Sequence, residues 1–468
     1  MKQSRQLFIR LWESPVMWSW GFNGLRVGIG VLLLPLLLAL PKSDLGIYYV
    51  FLGLSALVPL LDLGFLTSID RAISYAMSGA KTLHADGVAE RSPDQAISPN
   101  YDLLWKLLDA TRRLYKILSM GVLLFLGAWG SYVVNMRVEE TSTPTLTWWA
   151  WGLTLAGGVI EMYSGWWNVY LRGLNQVLLC SRILTLAFTL KFLISAGLLL
   201  SGGGLLSMPI ASFVSSFLQR YLSRHYSLRF LEGHPCPIIS RAEVNSLVKT
   251  LWPNSWRTGL YYFSGYIATY GSTFLCLIFL GLGANAAYGL SMQLITISST
   301  MASVWVQVKW PKTYQMLASG ECIAVKEMIQ PRFRLMIVTY LLAGIIVMLL
   351  GPHILEMLHQ AGWTRHQAIV DQPWLTLLFI VGLLELHQTF WNMIIIAGNR
   401  LPFLWPSVIT STFSFLAALA MLQITSYEIG AFALAPLLCG CVFNYWRWAA
   451  VGSRALKTDW YSFAIRRG

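Results

Sequence analysis

Charged side chains are scarce in this sequence. Asp, Glu, Lys and Arg make up 12% of its 468 residues, whereas hydrophobic residues make up 56%. A soluble domain carries about 25% charged residues, so this chain has too few polar side chains to cover a water-exposed surface. The deficit argues against a soluble globular protein. It predicts an all-α integral membrane protein, because a helix satisfies its own backbone hydrogen bonds in lipid.

Cysteines and catalytic motifs are also few. None of the six cysteines falls in a segment assigned to the outside, so no disulfide framework is expected. The chain has no Cys-x-x-Cys, His-Glu-x-x-His or Gly-x-Ser-x-Gly motif. The segment 78–82 departs from a phosphate-binding loop, with Ala80 in place of the glycine before the lysine and Tyr75 in place of the first glycine. Three histidines share one predicted outer loop without metal-ligand spacing: His353, His359 and His366. We therefore expect a non-enzyme with no ATP site, no metal and no cofactor.

Twelve long apolar stretches are the main feature of the chain. A spanning helix requires about 20 mostly apolar residues. The stretches are 17–40, 46–68, 115–135, 147–171, 178–200, 203–222, 258–281, 285–308, 335–358, 373–397, 402–424 and 428–450. They predict about 12 transmembrane helices.

Lys and Arg orient these predicted spans. With the N-terminus inside, the outside segments hold only Lys42, Arg137 and Arg365, and only Arg26 and Lys191 lie well within spans. The other Lys and Arg residues lie in cytoplasmic segments or at the adjoining span ends, as the positive-inside rule predicts. Both termini are therefore expected in the cytoplasm. Topology, rather than nucleic-acid binding, explains the net charge of +13.

An internal pattern divides the chain into an N-terminal lobe (1–222), a cytoplasmic linker (223–257) and a C-terminal lobe (258–468). The pattern Glu-x5-Trp-Asn-x6-Asn begins at Glu161 in the fourth span and again at Glu385 in the tenth. Because each half has six spans, both halves enter the membrane in the same direction. The sequence thus predicts two parallel six-helix repeats, and transporters built this way bind substrate between the repeats.

Three ionisable residues within spans are candidate substrate-binding residues: Arg26, Lys191 and Glu161. A charge at the centre of a spanning helix costs about 2.5–3.5 kcal/mol on insertion scales, so each is expected to face protein or water. A central cavity that held both cations would attract an anionic group. In the alternative interpretation, Arg26 and Glu161 neutralise each other and pin two helices together.

Three further residues are candidates for ion or proton coupling: Glu385, His387 and Asp62. A carboxylate and an imidazole can both titrate in a physiological range, although a structural hydrogen bond is an equal alternative for Glu385 and His387. Three tryptophans open the fourth span at its outer end, where an interfacial belt is favoured over a sugar-stacking platform: Trp148, Trp149 and Trp151.

Two stretches resemble a known family. The segment 45–80 reads Leu-Gly-Ile-Tyr-Tyr-Val-Phe at its start and Leu-Leu-Asp-Leu-Gly-Phe around Asp62, and it resembles the first helical hairpin of polysaccharide flippases. The run Tyr-Leu-Arg-Gly-Leu-Asn at 170–175, followed by Arg182, is similar to the same group. These O-antigen flippases belong to the multidrug/oligosaccharidyl-lipid/polysaccharide (MOP) exporter superfamily, whose two-lobe bundle of twelve helices would cover the whole chain.

The resemblance implies a flippase that moves an undecaprenyl-pyrophosphate-linked oligosaccharide across the bacterial cytoplasmic (inner) membrane. It implies alternating access driven by a proton or sodium gradient, with a polysaccharide polymerase and a chain-length regulator as partners beside the lipid substrate and membrane lipids. Arg26 and Lys191 match the basic residues that often line the family's cavity.

Two other classes stay open. One is a MATE-type multidrug or cation antiporter of the same superfamily, which would use the acidic residues Glu161, Glu385 and Asp62. The other is a membrane enzyme such as a polymerase or acyltransferase, for which the predicted outer loops offer no arrangement of nucleophile and base.

Overall fold

The computed structural model describes residues 15–77, 79, 99–174, 176–235, 240–307, 309–310, 313, 316–317, 322–362, 368–396, 402–458 and 463. Every regular element in these ranges is helical. Two compact units divide the chain. The first comprises Met1–Leu37 and Phe51–Tyr262, and the second comprises Leu38–Val50 and Phe263–Gly468.

The first unit begins with helices that flank a turn and ends inside a long helix. Its elements are α1 (Pro15–Leu37), the end of α2 (Lys42–Ala56), α3 (Phe65–Met77), α4 (Tyr101–Phe125), α5 (Ser131–Asn135), α6 (Pro144–Ser164), α7 (Trp166–Gly173), α8 (Val177–Leu200), α9 (Ser207–Leu231) and the start of α10 (Arg241–Gln307). A π-helical turn, Leu126–Gly130, joins α4 to α5. Within this unit α1 packs on α8, α8 on α9, α4 on α6, and both α6 and α7 on α9.

The second unit contains the start of α2, the rest of α10 and five further helices. These are α11 (Cys322–Gln360), α12 (Trp374–Ile396), α13 (Leu404–Ile424), α14 (Ala431–Val442) and α15 (Asn444–Ala455). Here α11 packs on α12, α12 on α14 and α15, and α13 on α14. In the first unit, predicted span three packs on four, four on six, and five on six. In the second unit, span nine packs on ten, ten on twelve, and eleven on twelve, which are the corresponding pairs.

Several predicted spans contain breaks. The predicted span 46–68 is divided by a turn between α2 and α3, where Leu63 and Gly64 both have positive φ. Gly165 separates α6 from α7. The last predicted span bends by 42° between α14, taken with the preceding turn, and α15. At such points polar backbone groups lose helical partners, so each break must be packed against protein or water.

Gly281 interrupts α10 at the place where the sequence predicted an outer turn between spans seven and eight. Its backbone has φ 83° and ψ −180°, a conformation that side-chain-bearing residues rarely adopt. The glycine therefore lets one helix end and the next begin without a longer loop.

Six of the described helices are long and apolar enough to cross a membrane, or seven if the bent pair counts as one span. The six are Tyr101–Asn135, Val177–Leu200, Thr269–Gln307, Cys322–Gln360, Trp374–Ile395 and Leu404–Ile424. The chain is thus a multi-pass membrane protein, as the composition predicted. The number of twelve spans stays a prediction, since several predicted spans are broken, fused or polar.

The face by which α9 packs is unusually polar. Buried residues recur at every fourth position: Ser207, Ala211, Ser215, Gln219, Ser223, Ser227 and Leu231. An i, i+4 row forms a ridge that fits the groove of a neighbouring helix, and small residues let the backbones approach closely. This serine ridge explains the packing of α9 against α6, α7 and α8.

The predicted cytoplasmic linker is mostly helical. Within it, α10 begins with a capping box: the Ser240 backbone N–H donates to the Glu243 carboxylate at 2.9 Å, and the Glu243 N–H donates to the Ser240 hydroxyl at 3.2 Å. Lys106 of α4 lies 3.0 Å from the same carboxylate. The Ser240 backbone N–H, followed by Lys106, lowers the pKa of Glu243 to about 2. The ion pair between Lys106 and Glu243 therefore holds the start of α10 against α4.

Candidate functional site

Glu161 lies in the last turn of α6 and forms an ion pair with Arg220 of α9. The guanidinium Nη2 is 2.9 Å from a carboxylate oxygen of Glu161. The two ends of the pair differ in exposure: the Arg220 side chain is 7% exposed, whereas that of Glu161 is 54% exposed. The Glu161 carbonyl also accepts a hydrogen bond from the N–H of Gly165, the residue between α6 and α7. The pair thus joins α9 to the end of a broken helix.

Arg220 has more donors than partners. Its Nε and Nη1 atoms are buried and bond to no described residue, so within the described ranges Glu161 engages one of the three guanidinium nitrogens. Buried donors without partners are uncommon, because each retains most of its desolvation cost. Arg220 was not among the predicted site residues, since it lies at the cytoplasmic end of the predicted span 203–222, where the positive-inside rule expects cations. The four-residue spacing of the serine ridge beside it was the available signal.

Lys191 of α8 belongs to the same cluster. Its ammonium group interacts electrostatically with Glu161, so two cations share one carboxylate. The predicted pairing of Glu161 with Arg26 stays a prediction, and among the described side chains Glu161 forms its ion pair with Arg220. Arg26 itself lies on α1, but its side chain is outside the part of the chain that the structure describes. We call Glu161, Lys191 and Arg220 the cationic cluster.

Asp62 lies in the turn before α3 and is buried. One carboxylate oxygen accepts the hydroxyl proton of Tyr115 in α4, and the other accepts the N–H of Leu66 at 3.0 Å. The second bond caps the first turn of α3. This geometry gives Asp62 a structural role, and its predicted part in ion coupling stays a prediction.

Glu385 lies in α12 and is exposed. Its carboxylate interacts electrostatically with the hydroxyls of Tyr288, Tyr340 and Tyr445. The hydroxyl of Tyr340 donates to the carbonyl of Phe379 at 3.0 Å, and that of Tyr445 donates to the carbonyl of Pro436 at 3.3 Å. The hydroxyl protons of Tyr340 and Tyr445 are thus bonded to backbone carbonyls rather than to Glu385. A proton or a small cation suits such surroundings.

His387 is tied into the packing of the second unit. Its Nε2 accepts the indole N–H of Trp391 at 2.9 Å, and the ring also bonds to the backbone of Tyr445. An indole N–H can only donate, so the hydrogen-bond network assigns the proton to Nδ1 and a neutral ring. This arrangement favours the structural alternative for His387 and leaves Glu385 as the coupling candidate.

The two copies of the Glu-x5-Trp-Asn pattern occupy similar positions in their units. Trp167 and Trp391 are both buried. Asn168 accepts a hydrogen bond from Ser223 of α9, and the ring and the carbonyl oxygen of Trp391 lie close to Gly452 of α15. In each unit the pattern therefore faces the helix predicted as the sixth of its half. The final asparagines, Asn175 and Asn399, lie outside the described residues.

The three predicted belt tryptophans separate into two environments. Trp148 and Trp149 are exposed, as lipid-boundary residues would be, whereas Trp151 is buried and donates to the hydroxyl of Ser131 at 2.9 Å. Trp151 is therefore unable to stack on a sugar. Across the described ranges, no three His, Cys, Asp or Glu side chains gather in a way that could hold a metal ion, and His366 lies outside those ranges.

Several solved membrane transporters are similar to the chain in structure. An inward-facing multidrug resistance MATE family transporter of the MOP superfamily has a TM-score of 0.56 and 14% identity, over 93% of this chain and 95% of that chain. The MATE multidrug transporter DinF-BH has a TM-score of 0.55 and 14% identity, over 94% and 93%. A mutant of the Vibrio cholerae MATE transporter VcmN has a TM-score of 0.54 and 14% identity, over 97% and 99%.

These similarities extend over nearly the full length of both partners. No family model matches the sequence, and no curated protein does. At 14% identity the likeness establishes the fold. The chain therefore has the all-helical fold of MATE transporters.

Proposed function

We propose that this protein is a transporter of the MOP superfamily that flips an anionic, undecaprenyl-pyrophosphate-linked oligosaccharide across the bacterial inner membrane for surface polysaccharide assembly. The proposal includes twelve spans in two parallel six-helix repeats, both termini in the cytoplasm, and alternating access driven by an ion gradient. A polysaccharide polymerase and a chain-length regulator would receive or control its product.

The cationic cluster carries this proposal. Lys191 and Arg220 surround the carboxylate of Glu161, and two nitrogens of Arg220 have no partner among the described residues. With Lys191 and Arg220 both protonated, the cluster keeps one unbalanced positive charge, and it has spare donors within the predicted spans. Such a charge is costly unless it serves an anion, and guanidinium and ammonium groups bind phosphate and carboxylate oxygens well.

The repeat provides separate support. The corresponding helix pairs in the two units, and the corresponding places of Trp167 and Trp391, are what a duplicated six-helix unit would produce. Transporters with parallel repeats work by movement of one repeat against the other. Glu385 is our candidate for the coupling residue, because its carboxylate interacts electrostatically with three tyrosine hydroxyls.

The test is a strain that lacks the gene. We expect lipid-linked oligosaccharide to accumulate and surface polysaccharide to disappear. A plasmid copy of the gene should restore both. Variants Lys191→Ala and Arg220→Met should fail to restore them at normal protein levels, whereas Arg113→Ala, which removes an exposed ion pair on α4, should succeed. Unchanged lipid intermediates in the deletion strain would refute the flippase.

A MATE-type antiporter for cationic compounds is the second candidate, and the surroundings of Glu385 favour it. A carboxylate with three nearby phenol groups can bind an organic cation through charge and through the aromatic faces. In that case the deletion strain should become sensitive to cationic dyes, and Glu385→Gln should reproduce that sensitivity. Normal dye resistance in both strains would exclude the antiporter.

A further inference from the structure

The geometry of the cationic cluster points to a more specific mechanism, which rests on the proposed function. We propose that Glu161 is a built-in competitor: its carboxylate occupies Arg220 in the empty protein, and a phosphate-type anion of the substrate displaces it. Arg220 is then a substrate-binding residue, and Glu161 is the group that covers it.

Glu161 and Arg220 fit each other poorly. A guanidinium presents a planar fork that binds a carboxylate or phosphate through two parallel hydrogen bonds. Glu161 reaches only Nη2, at 2.9 Å, and Nε and Nη1 stay buried without acceptors in the part of the chain that the structure describes. A pyrophosphate group carries more acceptor oxygens than one carboxylate. It can bridge Nη2 and a neighbouring nitrogen, so the exchange would gain at least one charge-assisted hydrogen bond.

The two side chains also differ in exposure. Arg220 is fixed inside the helix packing at 7% exposure, whereas Glu161 is 54% exposed. A half-exposed carboxylate is held by fewer contacts than a buried guanidinium, so it is the side chain that can turn away. A buried guanidinium has no such alternative. The carboxylate is therefore the mobile member of the pair and the guanidinium is the fixed one.

A second cation acts on the same carboxylate. Lys191 interacts electrostatically with Glu161. When Glu161 turns away, Lys191 and Arg220 form an uncompensated pair of positive charges, which suits a dianionic group better than a single carboxylate. Gly165, which follows α6, lies close to both members of the pair: an added Cβ would lie 2.5 Å from the Glu161 carbonyl oxygen and 3.6 Å from Nη2 of Arg220.

The experiment measures binding of inorganic pyrophosphate to the purified full-length chain in phosphatidylcholine nanodiscs. If Glu161 is a competitor, Glu161→Gln should strengthen the binding of pyrophosphate. If Glu161 is a ligand-binding residue, the same variant should weaken it. We expect this variant to bind pyrophosphate about 10-fold more tightly than wild type, which corresponds to one charge-assisted hydrogen bond released from competition. Arg220→Met should bind more weakly than wild type, and the double variant should lose the gain.

Two outcomes would overturn the proposal. One is equal or weaker binding by Glu161→Gln, as a substrate ligand or a purely structural residue predicts. The other is a gain that persists in the double variant, because the anion would then bind elsewhere. If Glu161→Gln does not fold, Glu161→Asp provides the same test, since the shorter side chain retracts the carboxylate and should give a smaller gain.

The source of the phosphate is tested by lipid composition. If an anionic headgroup occupied Arg220, nanodiscs that contain phosphatidylglycerol would abolish the difference between wild type and Glu161→Gln, and the substrate assignment would fail. A retained difference supports a substrate anion. This experiment is independent of the genetic one: a gain of binding without accumulated lipid intermediates keeps the anion site and removes the flippase, and the reverse result removes only the competitor.

Discussion

The indole nitrogen of Trp391 donates a hydrogen bond of 2.9 Å to Nε2 of His387, one turn earlier on α12. Trp391 is buried, and its ring packs edge-on against Phe390 and Phe463. The bond fixes the tautomer of His387 and holds its ring toward Tyr445 of α15. A histidine used in this way connects two helices of the second unit and has no free nitrogen to exchange with water.

His387 should therefore be replaceable without loss of ion coupling. We expect His387→Asn to lower the unfolding free energy by about 1–2 kcal/mol, as loss of a buried hydrogen bond does. The pH dependence of transport in proteoliposomes should remain. Glu385→Gln is the matched variant, and it should flatten that dependence. A flat profile for His387→Asn would restore the histidine as a proton carrier.

Glu161 and Arg220 should contribute unequally to stability. Removal of Glu161 leaves a buried guanidinium unpaired, and we expect Glu161→Gln to cost about 2 kcal/mol, below the value for a fully buried pair because the carboxylate is half exposed. Arg220→Met leaves only a hydratable carboxylate and should cost less than about 1 kcal/mol. Thermal unfolding in detergent would show the order, and the double variant should resemble Arg220→Met. Equal costs would mean that Arg220 is not buried as described.

Asp62 should tolerate an amide but not a hydrocarbon. In Asp62→Asn the side-chain oxygen can still cap the N–H of Leu66 and the amide can still bond Tyr115. Asp62→Leu loses the cap and leaves the Tyr115 hydroxyl without its acceptor, for a cost of about 2–4 kcal/mol. Unfolding measurements separate the two variants. Loss of transport in a stable Asp62→Asn protein would instead support the coupling role.

Gly382 of α12 should not tolerate a larger side chain. An added Cβ would collide with the hydroxyl of Tyr340, one of the three phenol groups beside Glu385. We expect Gly382→Ala to cost about 1–3 kcal/mol through overpacking and to change the ion dependence of transport. Gly121→Ala in α4 is the control, because nothing described lies within 4 Å of its added Cβ. There alanine should gain up to about 1 kcal/mol.

The capping box that includes Glu243 should lose its stabilising effect in acid. Its pKa is lowered to about 2, mainly by the Ser240 backbone N–H, so its stabilising effect is complete above the ordinary pKa near 4.5 and disappears as pH falls toward 2. Glu243→Gln should therefore unfold at a slightly lower temperature than wild type at pH 7, and the two curves should converge in acid. A constant difference across this pH range would contradict the assigned contacts.

The long apolar helices were well predicted from the sequence. The spans 178–200, 373–397 and 402–424 match α8, α12 and α13 to within two residues, because polar or turn-forming residues bound an unbroken apolar run. Hydropathy does not reveal where a run breaks. The turn before α3 depends on positive φ at Leu63 and Gly64, and the residues around it are as apolar as a helix core.

Two of the three residues of the cationic cluster could be predicted from the sequence. Glu161 and Lys191 were visible as charges within apolar runs. Arg220 was not, because it lies at the cytoplasmic end of the predicted span 203–222, where the positive-inside rule expects cations. Its burial comes from packing against α6, which depends on the fold rather than on local composition.

The serine ridge of α9 has a consequence for how the protein is made. A helix with serine at so many positions and arginine at 220, 224 and 229 would enter lipid poorly by itself during synthesis. The preceding helix, α8, is strongly apolar, and only a short turn around Gly202–Gly204 separates the two. The translocon would therefore release α8 and α9 together as a helical hairpin. The short glycine turn thus keeps α9 beside the apolar helix on which it packs.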